Sequence, residues 1–261
     1  MTVSEIRVSR ARPDVAVVTI DRPARRNACN LAAWQGLAGN FRELAAEREV
    51  RLVILTGAAG HFCAGADISE FATLRADSAG GAAYEREVEA AYRAIQELPQ
   101  PSIAAVEGSC VGGGCALALC CDFRVLRGNT RFGIPAAKLG TVYTVGECRL
   151  LLSVVGIANA KRILFGGELF DAAAAREMGF ADLVVDGDPV AAAIAFGGTM
   201  AANAPLAVAG IKRIVQELAY GDVEARKREI EALIREALDS QDYREGVAAF
   251  LEKRKPNFTG C

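Results

Sequence analysis

Short, strongly apolar runs alternate with stretches of helical period through the first half of this chain. The apolar runs, which resemble strands, are residues 15–20, 51–56, 102–106 and 123–126. Helical spacing of apolar residues is clearest at residues 31–45 and 84–98. Strands that are apolar throughout, with helices between them, are typical of a parallel sheet whose two faces are both covered. The alternation therefore predicts an α/β fold around a largely parallel sheet.

The second half of the chain has a different pattern. From Gly146 onward most segments have helical periodicity, and only residues 181–185 resemble a strand. We therefore predict an α/β core over residues 1–195 and a helical C-terminal extension over residues 196–261, which together form one functional unit.

Two stretches of this half allow more than one interpretation. Residues 189–211 carry no charge and reach the length of about 20 residues that crosses a bilayer. They are mostly Ala and Gly, however, and Asn203-Ala-Pro205 interrupts them, so we expect one or two buried helices and no membrane segment. An apolar stripe farther on would either pack on the core of its own chain or mediate oligomerisation; it comprises Ile230, Leu233, Ile234, Ala237 and Leu238.

Charge and cysteine content restrict the partners and the compartment. The 30 Lys and Arg residues nearly balance the 32 Asp and Glu residues, so nothing favours nucleic acid, and an anionic ligand must be met by local basic residues. Four of the eight cysteines lie in apolar Gly- and Ala-rich sequence, and we expect reduced, structural thiols. Residues 1–12 lack the apolar centre of a signal peptide, so the predicted compartment is the reducing cytoplasm. One histidine and no Cys-x-x-Cys spacing predict no metal site.

Several common catalytic motifs are absent from the sequence. A single histidine and no Gly-x-Ser-x-Gly argue against a serine-hydrolase triad. Gly108 and Gly113 have the spacing of a phosphate-binding loop, but Gly114 stands where lysine must follow. What remains is two glycine-bearing loops, residues 60–67 and 106–115, each after an apolar strand. Glycine lets backbone N–H groups approach a ligand closely, so one N–H from each loop could polarise a carbonyl that becomes an oxyanion.

These loops resemble the signature of the crotonase (enoyl-CoA hydratase/isomerase) superfamily. Phe62-Cys-Ala-Gly-Ala-Asp67 is similar to the family's first oxyanion-hole loop, and Gly112-Gly-Gly114 is similar to the second. Further similar segments, in the family's order, are Arg22-Pro-Ala-Arg-Arg-Asn-Ala28, Phe132-Gly-Ile-Pro135, Leu139-Gly140 and residues 242–258. The resemblance implies a fold of repeated ββα units whose helical C-terminal region forms a homotrimer, or a hexamer made of two trimers. It also implies an acyl-CoA thioester as the substrate and no separate cofactor.

The resemblance assigns roles to particular residues. Ala66 and Gly113 would supply the two oxyanion-hole N–H groups, each of which stabilises a transition state by about 3–4 kcal/mol. The adenine and pantetheine of CoA would lie beside Ala64, Asp67 and Ile68. The CoA phosphates would be met by basic side chains, either Arg25 or Arg26 and either Lys253 or Lys255.

Two positions depart from the family's hydratase pattern. Those hydratases position and activate water with two glutamates, and the matching positions here are Ala116 and Ala136. A methyl group neither takes nor gives a proton, so the sequence predicts that standard two-glutamate hydration does not operate. The alanine at position 136 also argues against the usual enoyl-CoA isomerase, in which that carboxylate moves the proton.

Two other residues are candidates for the missing acid or base. Tyr143 lies in a segment that is similar to methylmalonyl-CoA decarboxylases of the superfamily, which also carry tyrosine there. Those enzymes, however, keep an acidic residue at the position of Ala116. The alternative is that Tyr143 has only a structural role. Glu147 stands near the start of a helix, where an acid is favoured as a cap whether or not it is catalytic. Lys138 and His61 are weaker candidates, and we expect His61 on the loop surface.

Three functions follow from this mixture of retained and missing features. The leading hypothesis is an acyl-CoA lyase or isomerase that stabilises an enolate, with decarboxylation as its specific form, because loss of CO₂ needs no base. The first alternative is an enoyl-CoA hydratase that uses Glu147 or Tyr143 on water. The second alternative is a degenerate member that binds acyl-CoA without turnover.

Overall fold

A computed structural model describes residues 5–261 of the protein. Within these residues the strands, in chain order, are β1 (Ile6–Arg12), β2 (Val15–Ile20), β3 (Leu52–Gly57), β4 (Ser102–Val106), β5 (Ser109–Val111), β6 (Phe123–Arg127), β7 (Arg131–Gly133), β8 (Phe170–Asp171) and β9 (Leu183–Val185). A six-stranded sheet has the order β1-β2-β3-β4-β6-β9, and a three-stranded sheet has the order β5-β7-β8.

The larger sheet is parallel from β2 to β9, and only β1 pairs with β2 in the antiparallel direction. This confirms the predicted parallel sheet, and all four predicted strands of the first half are present. The sequence analysis missed β1, because it is a mostly exposed edge strand in which Ile6 is buried and the other residues are exposed. Of the N-terminal residues 1–12 considered for a signal peptide, residues 1–4 lie outside the described residues.

The smaller sheet explains how the chain forms ββα units. β5 follows β4, and β7 follows β6, so the chain leaves the larger sheet and at once adds a strand to the smaller one. β5 then leads into a helix, α4 (Gly113–Cys120). An isolated parallel bridge between Cys63 and Cys110 carries the same pattern into the segment after β3. These strands of two or three residues are too short to show a period in the sequence, and β8 was missed for the same reason.

The helices cover both faces of the larger sheet. They are α1 (Leu31–Ala46), α2 (Phe71–Leu74), α3 (Ser78–Gln96), α4, α5 (Val145–Gly166), α6 (Ala172–Glu177), α7 (Pro189–Ala201), α8 (Pro205–Tyr220), α9 (Val223–Asp239) and α10 (Gln241–Glu252). Alternate residues of β2 point to opposite sides: Ala16 and Val18 join the core shared with α1, α3 and α4, whereas Val15 and Val17 join the core under α7. The cysteines predicted to be structural, Cys110, Cys115, Cys120 and Cys121, are buried in the first core.

The stretch 189–211 forms two helices, α7 and α8, as predicted. The predicted burial holds for α7, which packs so closely on β3 that a Cβ on Gly197 would lie 2.6 Å from the Leu52 side chain. In α8, residues 205–209 are half-buried and Gly210 is buried, whereas Ile211, Val215 and Leu218 are exposed. No single helix among the described residues is long and apolar enough to cross a membrane, although α7 and α8 together, bent by 105°, meet the length and composition of such a span. The predicted boundary after residue 195 falls inside α7.

Candidate active site

The two glycine-bearing loops are joined along their backbones. The N–H groups of Phe62 and Cys63 donate to the carbonyls of Glu107 (2.7 Å) and Ser109 (2.8 Å), and the Val111 N–H donates back to the Cys63 carbonyl (3.0 Å). These are the bonds of a short parallel ladder, so the first loop lies in fixed register beside β5 and the start of α4.

This register brings Ala66 and Gly113 to one place. Gly65 has a φ of +98°, and a Cβ on it would lie 2.8 Å from the Val111 carbonyl oxygen and 3.4 Å from the Gly113 nitrogen. Gly113 is the first residue of α4, where an N–H has no acceptor within the helix. Ala66 and Gly113 also line the same cavity. The arrangement is suited to two backbone donors that meet at one substrate oxygen.

The N-terminal segment holds the first loop from the outside. Asn27 is fully buried, and its side-chain amide donates to the carbonyls of Ala58 (2.8 Å) and His61 (2.6 Å) while its Oδ1 accepts from the Arg22 N–H (2.9 Å). The Arg22 guanidinium reaches Asp67 at 3.1 Å. The Arg-Pro...Asn-Ala segment therefore fixes the loop's position and does not itself line the cavity.

The cavity has a volume of about 550 Å³ and opens between the two loops, α3 and the chain around Ile134–Glu147. Aromatic side chains form one wall: the Trp34 indole N–H donates to the Tyr84 hydroxyl at 2.8 Å, and the Trp34 and Tyr92 rings meet edge to face at 5.7 Å. The cavity is thus enclosed by apolar and aromatic surface, with a few polar groups directed into it.

Six of the predicted site residues line this cavity: Ala64, Ala66, Ile68, Gly113, Tyr143 and Glu147. The others lie outside its wall. Arg25, Arg26, Lys253 and Lys255 are exposed, and the Arg26 carbonyl accepts the Ala64 N–H at 3.0 Å. The Asp67 carboxylate accepts from Ser69 and Arg22, and the hydrogen bond from the Ser69 hydroxyl is the main reason that its pKa is lowered.

Glu147 both caps a helix and faces the cavity. Its Oε2 accepts from the N–H (3.0 Å) and the hydroxyl (2.8 Å) of Thr144, while the Thr144 Oγ1 accepts the Glu147 N–H, which is a capping box at the start of α5. The predicted capping role is therefore confirmed. Its Oε1 accepts from the Tyr92 hydroxyl at 3.3 Å. Burial raises the pKa of this carboxyl group, and the hydrogen bonds from Thr144 and Tyr92 oppose that rise.

Tyr143 is turned toward the second loop. Its hydroxyl donates to the Gly112 carbonyl at 3.2 Å, directly before the Gly113 N–H. Burial, followed by the nearby charge of Glu147, raises the pKa of the phenol, so Tyr143 stays protonated at neutral pH. In this position Tyr143 supports the second glycine-bearing loop through a hydrogen bond to its backbone.

Tyr92 and Glu85, both on α3, were missed by the sequence analysis, although both line the cavity. The Tyr92 hydroxyl lies 3.3 Å from where a Cβ on Gly113 would be, so it stands beside Gly113 as well as beside Glu147. A signal was available: Glu85, Val88 and Tyr92 follow the i, i+3, i+7 spacing of one helical face, on which Val88 and Tyr92 are buried.

The two alanines that stand where the family's hydratases have glutamates differ in their relation to the cavity. Ala136 lines the cavity and leaves open the side on which the resemblance would place a carboxylate. Ala116 is fully buried within α4. His61, expected on the surface, is half-buried, and its Nδ1 accepts the Ser109 N–H at 3.2 Å; that expectation was wrong. Lys138 is exposed. Across residues 5–261, no group of three or more His, Cys, Asp or Glu side chains is placed to hold a metal ion.

Comparison with known proteins, by sequence and by structure, points to one enzyme family. The family model described as enoyl-CoA hydratase/isomerase matches residues 10–261. The 2,3-dehydroadipyl-CoA hydratase of Escherichia coli is 34% identical over 261 residues, which cover 98% of this chain and 99% of that protein. A solved structure of an enoyl-CoA hydratase/carnithine racemase from Magnetospirillum magneticum has a TM-score of 0.91 at 39% identity and covers 100% of this chain and 97% of its own.

A second solved structure, the enoyl-CoA hydratase of Bacillus anthracis, has a TM-score of 0.90 at 29% identity over 98% of this chain and 100% of its own. These similarities extend over both the sheets and the C-terminal helices. They confirm the predicted fold, an α/β crotonase fold of repeated ββα units with a helical C-terminal region.

Proposed function

Because the chain belongs to the enoyl-CoA hydratase/isomerase family, we propose that it adds water to the C2=C3 double bond of an enoyl-CoA thioester, with Glu147 as the base. One observation carries this proposal: a buried carboxyl group, Glu147, lines the same cavity as the two oxyanion-loop donors although positions 116 and 136 hold alanine. In this proposal the acyl-CoA chemistry of the family is retained, and the acid/base group comes from a position in the chain other than 116 or 136.

The proposed reaction uses the two loops to hold the thioester carbonyl. When a water oxygen bonds to C3, the electrons of the double bond move toward C1 and make the thioester oxygen an enolate oxyanion. The N–H groups of Ala66 and Gly113 stabilise that charge, while the Glu147 carboxylate takes one proton from the attacking water. The hydrogen bonds from Thr144 and Tyr92 favour the ionised form of Glu147 that this step requires.

Electrostatics support the proposal of hydration over decarboxylation, the reaction that the sequence analysis favoured. A malonyl-type substrate brings its own carboxylate, and the cavity wall already carries the carboxyl group of Glu147, which the proposed hydration requires in its ionised form. Like charges in a partly desolvated site repel one another. Tyr143, on which the expected resemblance to methylmalonyl-CoA decarboxylases rested, has its hydroxyl directed at the Gly112 carbonyl. A neutral enoyl chain against the aromatic wall fits this lining better.

The test is a comparison of substrates. We expect the purified protein to hydrate short enoyl-CoA thioesters such as crotonyl-CoA, followed by loss of absorbance of the conjugated thioester, and to release no CO₂ from malonyl- or methylmalonyl-CoA. Release of CO₂ without hydration would replace this function by the decarboxylase. Tight binding of both substrate types without turnover would identify an acyl-CoA binder.

The proposed CoA contacts outside the cavity are Arg25 or Arg26 and Lys253 or Lys255. Arg26 is exposed, and its carbonyl accepts the N–H of Ala64, so its backbone lies beside the cavity lining. The two lysines follow α10, the last helix. We propose all four as candidates for binding the CoA phosphates. We also propose that the protein works in the reducing cytoplasm and uses no cofactor beyond the CoA of its substrate.

We also propose a homotrimer or a dimer of trimers. The C-terminal helices leave apolar side chains uncovered, including Phe250 at 82% and Leu251 at 74% exposure, beside an apolar groove of about 590 Å³. Exposed apolar area of this kind is typical of a subunit interface. Light scattering on the purified protein should give three or six times the chain mass, and Phe250→Glu with Leu251→Glu should shift it toward one. A monomer of the unaltered protein at micromolar concentration would contradict the proposal.

A further inference from the structure

Glu85 places a second carboxyl group on the cavity that holds Glu147. Glu85 and Val88 both line this cavity, and so does Tyr92, the hydrogen-bond donor to Glu147. The spacing of these three residues puts them on one face of α3, so the side chain of Glu85 is directed at the substrate space and not along the outer surface of the helix.

The only ion pair recorded for Glu85 among the described residues is a loose one. The Arg75 guanidinium lies 3.9 Å from its Oε2, at the outer limit of an ion pair, and is also held over the Phe71 ring at 4.5 Å. Both side chains are about three-tenths exposed. A carboxyl group with so weak a partner keeps a proton more readily than one held by several donors.

The two carboxyl groups have different surroundings, which separates their roles. Glu147 accepts hydrogen bonds from two Thr144 groups and from Tyr92, which stabilise its anion. Burial, and then the negative charge of Glu147, raise the pKa of Glu85, while Arg75 opposes the rise. Burial raises the pKa of Glu147 as well, but three hydrogen bonds favour its anion, whereas Glu85 has only the loose contact with Arg75. This difference in donors favours Glu147 as the base and Glu85 as the acid.

We propose that Glu85 is the acid of this site, which gives a proton to C2 of the acyl chain after water has attacked C3. This inference rests on the proposed hydration and adds the residue that completes it. It also gives the protein two carboxyl groups in the place of those missing at positions 116 and 136.

Water forms the O–C3 bond and gives one proton to the Glu147 carboxylate, and the C2=C3 electron pair becomes the enolate. The enolate carbon C2 takes the proton of the Glu85 carboxylic acid, and the oxyanion returns to the thioester carbonyl. Glu147 is then protonated and Glu85 ionised, and transfer of one proton through solvent restores the starting state. The net change is addition of one water.

The experiment separates the two carboxyl groups by following two reactions. The first is hydration of crotonyl-CoA; the second is exchange of the C2 protons of butyryl-CoA with D₂O, followed by NMR, which needs a base at C2 but no water at C3. We expect Glu85→Gln to slow both reactions by about 10²–10⁴-fold. We expect Glu147→Gln to slow hydration by a similar factor and to leave C2 exchange within a few-fold of the unaltered protein.

The matched control is Glu87→Gln, on the same helix but outside the cavity lining, which should leave both reactions unchanged. Circular dichroism checks that each variant is folded. If C2 exchange survives in Glu85→Gln, the assignment of Glu85 is overturned even though hydration by Glu147 stands. If the unaltered protein exchanges C2 protons through Glu85 but hydrates nothing, the proposed function fails and the role of Glu85 at C2 is retained.

Discussion

Glu147→Gln is expected to lower kcat for enoyl-CoA hydration by about 10²–10⁴-fold, the usual contribution of a general base, while the fold is kept. Glutamine is the right replacement because it serves at the third position of a capping box as glutamate does. Its amide can still accept from Thr144, so the start of α5 is retained while the proton acceptor is removed. Steady-state kinetics and thermal unfolding of the same samples measure the two effects.

Thr144→Ala is the control that separates capping from catalysis. It removes the hydroxyl of the cap and should cost about 1 kcal/mol of stability. The carboxyl group of Glu147 remains on the cavity, with the Thr144 N–H and the Tyr92 hydroxyl still as donors, so we expect kcat to fall less than tenfold. Equal losses of activity in the two variants would show that Glu147 acts only through the helix.

The pH dependence gives a second measure of the same residue. Glu147 must be ionised to take a proton from water, so kcat should fall as the pH is lowered through its pKa. Burial raises that pKa, and the negative charge of Glu89 adds to the rise against the hydrogen bonds from Thr144 and Tyr92. The midpoint should therefore lie above the usual range for a glutamate carboxyl, and it should disappear from the residual activity of Glu147→Gln.

Gly65→Ala should damage both stability and activity. At a φ of +98° an alanine is strained by about 1–2 kcal/mol, and its Cβ would lie 2.8 Å from the Val111 carbonyl, a backbone atom that cannot move aside alone. With overpacking of about 1–3 kcal/mol added, we expect a loss of about 2–5 kcal/mol in the free energy of unfolding. Separation of the two loops should also cost about 10²–10³-fold in kcat, as for loss of one oxyanion donor.

Gly60→Ala is a matched control in the same loop. Gly60 has a similar φ of +77°, but its Cβ would have no atom nearer than the Glu107 carboxylate at 3.9 Å. This variant therefore has the backbone strain without the clash and should lose about 1–2 kcal/mol with its activity retained. Urea unfolding and kcat per folded molecule compare the two. Full activity in Gly65→Ala would mean that the spacing of the loops does not matter for catalysis.

The sequence predicts the fold well wherever an element is long enough to have a period. β2, β3, β4 and β6 are apolar because they lie between two layers, and α1 shows its buried face through Trp34 and Phe41. The short strands β5, β7 and β8 depend on bonds between distant segments, such as Cys63 to Ser109, and local pattern does not show these. β1 has one buried residue and resembles a loop for that reason.

The candidate site is predictable from sequence only for its backbone part. The glycines that let Ala66 and Gly113 approach each other are visible as residue types in two loops. Which residues serve as the proposed acid and base depends on which side of α3 and which end of α5 face the cavity. Packing between distant segments decides this. Glu85 resembles its neighbour Glu87 until the cavity shows that only one of them faces inward. The roles of Asn27 and Arg22 likewise appear only through their contacts with the loop.

The two proposed oxyanion donors are main-chain N–H groups, held by a ladder of main-chain hydrogen bonds. Among point substitutions only proline removes a main-chain N–H, so this proposed anion-binding site persists while the side chains around it change. A lineage can then lose a carboxylate at one wall of the cavity and gain another elsewhere without rebuilding its reaction centre. Divergence of chemistry within one fold becomes a matter of exchanging proton donors around a constant anion receptor.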